Sequence, residues 1–188
     1  MTSQFESSPR APQLSVAFVR GRGLVRAGAM RKLASFVDEA QPHVMGVCDI
    51  ESGDALALAT RFALQWAYRG RQALFWKKPF RVHAVRDHYL PVQSARIFDR
   101  RGLLIVDAEL SGQACTLAAT QLSSEREWYV RELRFARGHL RGDASTLLFA
   151  DVPAPARRFS DLGFEEICDG IFVRGFSAQA LHASSATV

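Results

Sequence analysis

The sequence predicts an α/β domain of four layers, in which two mainly antiparallel sheets pack face to face with helices outside. Three observations lead there. Apolar runs of strand length recur along the chain, helical periodicity is confined to stretches set singly between groups of strands, and Ser111-Gly112 joins two long runs as a two-residue hairpin. That order fits paired sheets better than a doubly wound parallel sheet. With 188 residues, the chain suits one domain that buries about 70% of its unfolded surface.

The elements follow in order. Residues 1–13 are polar, rich in Ser and Pro, and read as a disordered tail without the apolar run of a secretion signal. Leu14–Val19 is a β-rich run after a proline. Ala27–Ala40 sets Met30, Leu33, Ala34 and Val37 at helical spacing, and Pro42 closes it. His43–Cys48 reads as a continuous apolar run and so as a buried strand, and Ala55–Phe62 as a second helix. Gln65–Tyr68, Ala73–Lys77 and Val82–Leu90 are successive strands, with turns at Arg69-Gly70 and Lys78-Pro79. Gly102–Leu110 and Gln113–Leu122 flank the hairpin turn. Glu125–Leu140 is helical, with Trp128, Leu133, Phe135, Ala136 and Leu140 available for the core face. Thr146–Ala150, Phe164–Cys168 and Ile171–Val173 are the last strands, so the domain is expected over 14–176 and a C-terminal tail over 177–188.

Composition narrows the class. No stretch approaches the roughly 20 apolar residues of a membrane span, which points to a cytoplasmic protein with no membrane partner. Cys48, Cys115 and Cys168 are scattered and odd in number, without a C-x-x-C pair, so buried free thiols are expected rather than a disulfide framework or a zinc site. The net charge of +5 comes mainly from arginine. Such a charge can attract phosphate backbones, but it is spread along the chain as solvated positions rather than gathered in one block.

Four short stretches carry a resemblance. They are Val16-Ala17-Phe18-Val19-Arg20, Val47-Cys48-Asp49-Ile50-Glu51, Ala119-Thr120-Gln121-Leu122 and Phe149-Ala150-Asp151-Val152-Pro153. In order and spacing they resemble the endonuclease/exonuclease/phosphatase superfamily, whose strands end in Trp-Asn, Gln-Glu, Thr-His-Leu and Gly-Asp-Phe-Asn. The resemblance spans Leu14 to Phe176 and implies a DNase I-like fold and Mg²⁺-dependent phosphoester hydrolysis. Here the Asn is Arg20, the Glu is Asp49, the His is Gln121, and the final Asn is Pro153.

Each change removes atoms that the reaction uses. Mg²⁺ takes oxygen ligands at about 2.0–2.1 Å. Asp49 is a shortened metal ligand, and Glu51, two residues on, points the same way if the strand continues. Arg20 has five donors and no acceptor, so it repels a cation. It either fills the vacated metal position and neutralises Asp49, or opens the Arg20-Gly21-Arg22-Gly23 loop and points to solvent. Arg20 and Gln121 remain candidate contacts for a phosphate, although Gln121 neither carries charge nor transfers a proton. Asp151 matches the Asp that orients the attacking water, while Pro153 lacks the donor its counterpart supplies. Cys168-Asp169-Gly170-Ile171-Phe172 resembles the family's Asp-x-Ile-Phe strand, but the Ser-Asp-His of the last strand, whose His works with an Asp, is not found. His43, His83, His88, His139 and His182 match no family motif.

Three functions are compatible with these residues. The leading one is a diverged, catalytically impaired domain that serves as a binding or structural module and needs no cofactor. The second is a Mg²⁺-dependent phosphodiesterase, phosphatase or nuclease with a site rebuilt from Asp49, Glu51, Asp151 and Asp169. The third is a non-catalytic nucleic-acid binder that uses Arg69, Arg71, Lys77, Lys78 and Arg81 beside Trp66, Tyr68 and Trp76, as in a stacking platform. Nucleic acid or another phosphate-bearing ligand is the partner class implied.

Overall fold

Strand alternation builds the protein. Side chains two apart share a face, so each strand sends one row of apolar residues inward and another outward. The computed structural model describes residues 14–21, 27–91, 101–140, 142–152, 157–177 and 181–188, and within them the chain runs β1 (Leu14–Arg20), α1 (Ala27–Ala40), β2 (Val44–Cys48), α2 (Ser52–Arg61), β3 (Gln65–Arg69), β4 (Gln72–Trp76), β5 (Phe80–Tyr89), β6 (Gly102–Leu110), β7 (Gln113–Gln121), α3 (Arg126–His139), β8 (Ser145–Asp151), a 3-10 helix (Arg157–Leu162), β9 (Glu165–Cys168), β10 (Ile171–Arg174) and β11 (Leu181–Thr187).

The strands form a five-stranded sheet in the order β11-β1-β2-β4-β3 and a six-stranded sheet in the order β5-β6-β7-β8-β10-β9. In the first, β1 pairs in parallel with both β2 and β11, and the remaining pairs are antiparallel. In the second, only β7 and β8 are parallel. Three apolar layers separate the elements. Leu14, Val16 and Phe18 meet Leu117, Ala119, Leu147 and Phe149 between the sheets. Leu33, Val37, Leu58 and Ala59 of α1 and α2 cover the outer face of the first sheet, and Tyr129, Leu133, Ala136 and Phe159 cover the outer face of the second. This is the four-layer arrangement expected from the sequence.

Two expectations are corrected. Residues 181–187, read as part of a tail from 177, form β11 and hydrogen-bond along the whole of β1. Their sequence, Leu-His-Ala-Ser-Ser-Ala-Thr, is small and polar, so the strand is sustained by its parallel backbone ladder rather than by an apolar row that periodicity would detect. On α3, Trp128 and Phe135 are only partly buried, whereas Tyr129 and Glu132 are buried. Glu132 is tolerated there because Arg101 pairs with it at 3.0 Å and the Ser123 amide donates to it at 2.6 Å.

The sheets approach closely at Gly46. A Cβ there would lie 2.3 Å from the Phe149 Cβ, and the Phe149 ring in turn packs 6.4 Å from that of Phe18. Gly46→Ala therefore forces the two sheets apart and is expected to cost about 1–3 kcal/mol, as overpacked core sites do. Gly53→Ala, in α2 with nothing within 4 Å, should leave stability unchanged or raise it by up to about 1 kcal/mol. Denaturant unfolding of the two variants checks the contrast.

Candidate functional site

The inward rows of three strands end together. Leu14-Val16-Phe18 of β1 continues to Arg20, Leu117-Ala119 of β7 to Gln121, and Leu147-Phe149 of β8 to Asp151. Gln121 and Asp151 are register partners across the parallel β7–β8 pair, and Arg20 is paired with Cys48 across β1–β2. Asp169 precedes Gly170 in the turn between β9 and β10. Apolar alternation thus turns polar at one end of the inter-sheet space, and the polar residues face one another.

Arg20 joins them. Its Nε donates to Asp151 Oδ1 at 2.9 Å, and its two terminal nitrogens donate to the two carboxylate oxygens of Asp169, NH2 at 2.9 Å. Gln121 Nε2 donates to the other oxygen of Asp151 at 3.2 Å. The Arg20 side chain is only 13% exposed and lies with Cζ 5.2 Å from the Phe18 ring centre, so its stem is buried while each of its three nitrogens donates to a carboxylate. The hydrogen bond to Asp169 is the main cause holding the Arg20 guanidinium above its ordinary pKa, with burial opposing. The same bond holds the Asp169 carboxyl below the usual carboxylate range.

The geometry corrects the partner expected for Arg20 and its solvent-facing alternative. Arg20 does not point to solvent, and its partners are Asp151 and Asp169 rather than Asp49. Asp49 belongs to Arg71, whose guanidinium reaches Asp49 at 2.7 Å and Glu51 at 2.9 Å. The strand does not continue past Cys48, since Asp49 has a φ of 64°. Arg71 instead gathers both carboxylates. It occupies the second position of the Gly70-Arg71 turn, where both φ angles are positive, and its carbonyl accepts from the Ile50 amide at 3.1 Å. The turn foreseen at Arg69-Gly70 is thus one residue further on. Cys48 Sγ donates to the Thr120 carbonyl at 3.4 Å, which ties the end of β2, and with it Asp49, to the end of β7. Arg20, Asp49, Glu51, Gln121, Asp151 and Asp169 accordingly stand at one end of the sandwich. Pro153 lies outside the described residues.

Gly170 sets the geometry of Asp169. With φ +79°, it leaves no room for a side chain, because a Cβ there would meet the Phe18 ring at 2.4 Å. Two other groups are removed from consideration. The Cys48 thiol is buried, which pushes its pKa far up and denies it a thiolate. The five histidines stand elsewhere: His43 accepts from the Ser15 amide, His83 lies by Glu109, His88 stacks on His139, and His182 lies in β11 opposite Ser15.

The aromatic and basic stretch does not assemble into a platform. Trp76 is buried between the sheets with its Nε1 donating to Gln65, whereas Trp66 and Tyr68 pack on the opposite, helix-covered face. Arg69 pairs with Asp87 at 2.8 Å and lies over Tyr89 at 4.1 Å.

No protein-family model matches the sequence, and no curated protein matches it. Solved structures do. A humanized D. rerio TDP2 superposes with a TM-score of 0.67 at 16% identity over 83% of this chain and 80% of that one. The fold is that of the endonuclease/exonuclease/phosphatase superfamily. A second D. rerio TDP2 structure, complexed with a single-strand DNA product, gives 0.66 at 19% identity over 80% of this chain and 65% of that one. An endonuclease/exonuclease/phosphatase family protein of Bacteroides thetaiotaomicron gives 0.60 at 12% identity over 73% and 61%. The chain spans less than two thirds of these last two.

A DNase I-like fold implies Mg²⁺, and the donor set here does not fit it. Among the described residues no three His, Cys, Asp or Glu side chains group as metal ligands. The carboxylates that stand at the site end are bonded to guanidinium groups instead. Two unit charges about 4 Å apart interact by roughly 4 kcal/mol at an effective dielectric near 20, so a cation would have to displace an arginine already in place.

Because Asp169 titrates low only through Arg20, its contribution to stability has a definite sign. It is present above the ordinary carboxylate range near ~3.9 and is lost as pH falls through the depressed folded value. Carboxyl-carbon NMR titration should place Asp169 below that range in the wild type and return it to the range in Arg20→Gln. An unchanged Asp169 titration in the variant would contradict the pairing.

Proposed function

We propose that this chain is a diverged DNase I-like domain in which phosphoester hydrolysis is impaired, and which serves as a binding or structural module. The observation that carries the reading is the Arg20 guanidinium bound across Asp151 and Asp169. Hydrolysis needs a group that takes a proton from the attacking water and another that balances charge on the phosphoryl oxygens. Asp151 is engaged on both oxygens, by Arg20 and Gln121, and Asp169 is tied by two donors from Arg20. Gln121 supplies neither a proton nor a charge.

The last strand supports the same reading. The resemblance expects Ser-Asp-His there, and the sequence that leads into β11 is Ser177-Ala178-Gln179, with neither Asp nor His. Loss of one preorganised donor costs about 10²–10³ in rate, and here the proton shuttle is missing as well. A phosphate-bearing partner, nucleic acid included, is the ligand class the fold suggests. The cytoplasmic placement rests on composition alone and belongs to the same proposal.

The test is turnover of single-stranded DNA and of a generic phosphodiester with millimolar Mg²⁺ or Mn²⁺. The expected result is that wild type and Asp151→Asn are indistinguishable and that chelator changes neither. Metal-dependent turnover that Asp151→Asn abolishes would establish the alternative, a working phosphodiesterase with a rebuilt site. Binding of the same DNA by anisotropy, weakening steeply with salt, would identify nucleic acid as the ligand.

A further inference from the structure

The acidic groups at the site end are taken in pairs by arginine. Arg20, the last residue of β1, takes Asp151 and Asp169, and Arg71, in the β3–β4 turn, takes Asp49 and Glu51. We propose that these two arginines are built-in replacements for a divalent cation: they hold the acidic cluster together without metal and turn a metal away while they are present. This builds on the impaired reading of the site and extends it to the cofactor.

The geometry supports substitution rather than coincidence. A metal ion between Asp151 and Asp169 requires the oxygens that the Arg20 fork already occupies, one of Asp151 and two of Asp169. Gln121 presents its amide nitrogen, a donor, to the remaining oxygen of Asp151, an arrangement that suits a carboxylate held by hydrogen bonds rather than by a metal. Arginine stays protonated at any pH the fold survives, so the internal cation is permanent in a way a lysine or histidine is not. Both guanidinium groups are also held in place. Arg20 lies over Phe18, which Gly170 abuts, and Arg71 has its backbone fixed by its turn and the bond from the Ile50 amide and its guanidinium by two carboxylates. Arg20 comes from one sheet and its carboxylates from the other, so this internal cation bridges the sheets as a bound metal would.

The test is Mn²⁺ binding, followed by the resonance of free Mn²⁺, together with thermal unfolding in chelator and in millimolar Mn²⁺. The proteins are wild type, Arg20→Gln, Arg20→Lys, Arg71→Gln and the exposed control Arg81→Gln. Wild type, Arg20→Lys and Arg81→Gln should bind Mn²⁺ weakly and show no metal-dependent Tm. Arg20→Gln should unfold earlier than wild type in chelator, regain several degrees with Mn²⁺, and bind the ion at least ~10-fold more tightly than wild type. Arg71→Gln should shift in the same direction by less, because its pair is more exposed.

Wild type that binds Mn²⁺ as tightly as Arg20→Gln overturns the proposal. A folded Arg20→Gln without gain also overturns it. So does an Arg20→Gln that stays unfolded in Mn²⁺, since the arginine is then a bolt that no other cation replaces. These outcomes are separable from the functional reading. Metal-free phosphodiester turnover by wild type defeats the impaired site and leaves the internal cations standing, whereas tight Mn²⁺ binding without turnover does the reverse.

Discussion

A guanidinium that reaches from one sheet to the other governs the functional end of this domain. Arg20 ends β1 of the five-stranded sheet, and Asp151 and Asp169 belong to β8 and the β9–β10 turn of the six-stranded one. Apolar packing between sheets is non-directional and would allow them to slide. Three donors in a fixed plane, on three oxygens of the opposite sheet, do not. Phe18 beneath the guanidinium, Gly170 against Phe18 and Gly46 against Phe149 then set how closely the sheets approach. At the other side of the same end, Arg69 of β3 repeats the device on Asp87 and Tyr89 of β5.

Much of this was legible in the chain because strand alternation is a strict rule. The order of the strand ends places Arg20, Gln121 and Asp151 near one another, but the first run reads as strand only to Val19, so the direction of Arg20 stays open between the site and solvent. The partners of Arg20 were not legible, because they depend on which strands face one another across the sandwich, and that is a matter of topology. Arg71 escaped for a related reason. It sits in a turn and meets Asp49 only because β2 and β4 are neighbours, so its place follows from sheet order and not from spacing along the sequence. Glu132 gave no signal in the sequence, because the charge that lets it be buried comes from Arg101, remote in the chain.

The site shows how a scaffold positions side chains independently of their chemistry. Strand ends deliver side chains to one place whatever their identity. Exchanging an amide for a guanidinium and a histidine for a glutamine leaves the backbone unmoved while reversing the electrostatics. The acidic groups at this end are balanced by guanidinium groups on the chain's own side chains, with no dependence on concentration.

The pairing of β11 with β1 reaches beyond the site. These strands begin at residues 14 and 181, so nearly the whole domain separates the two partners in the sequence. Every pair in that ladder must close a loop of almost the full chain, which gives the fold a high contact order and makes it slow to complete. During synthesis β1 waits with one edge unpaired, and an unpaired edge is a template for the wrong partner. The small, polar residues of β11 bury little apolar surface of their own, so the strand owes its place to the β1 ladder.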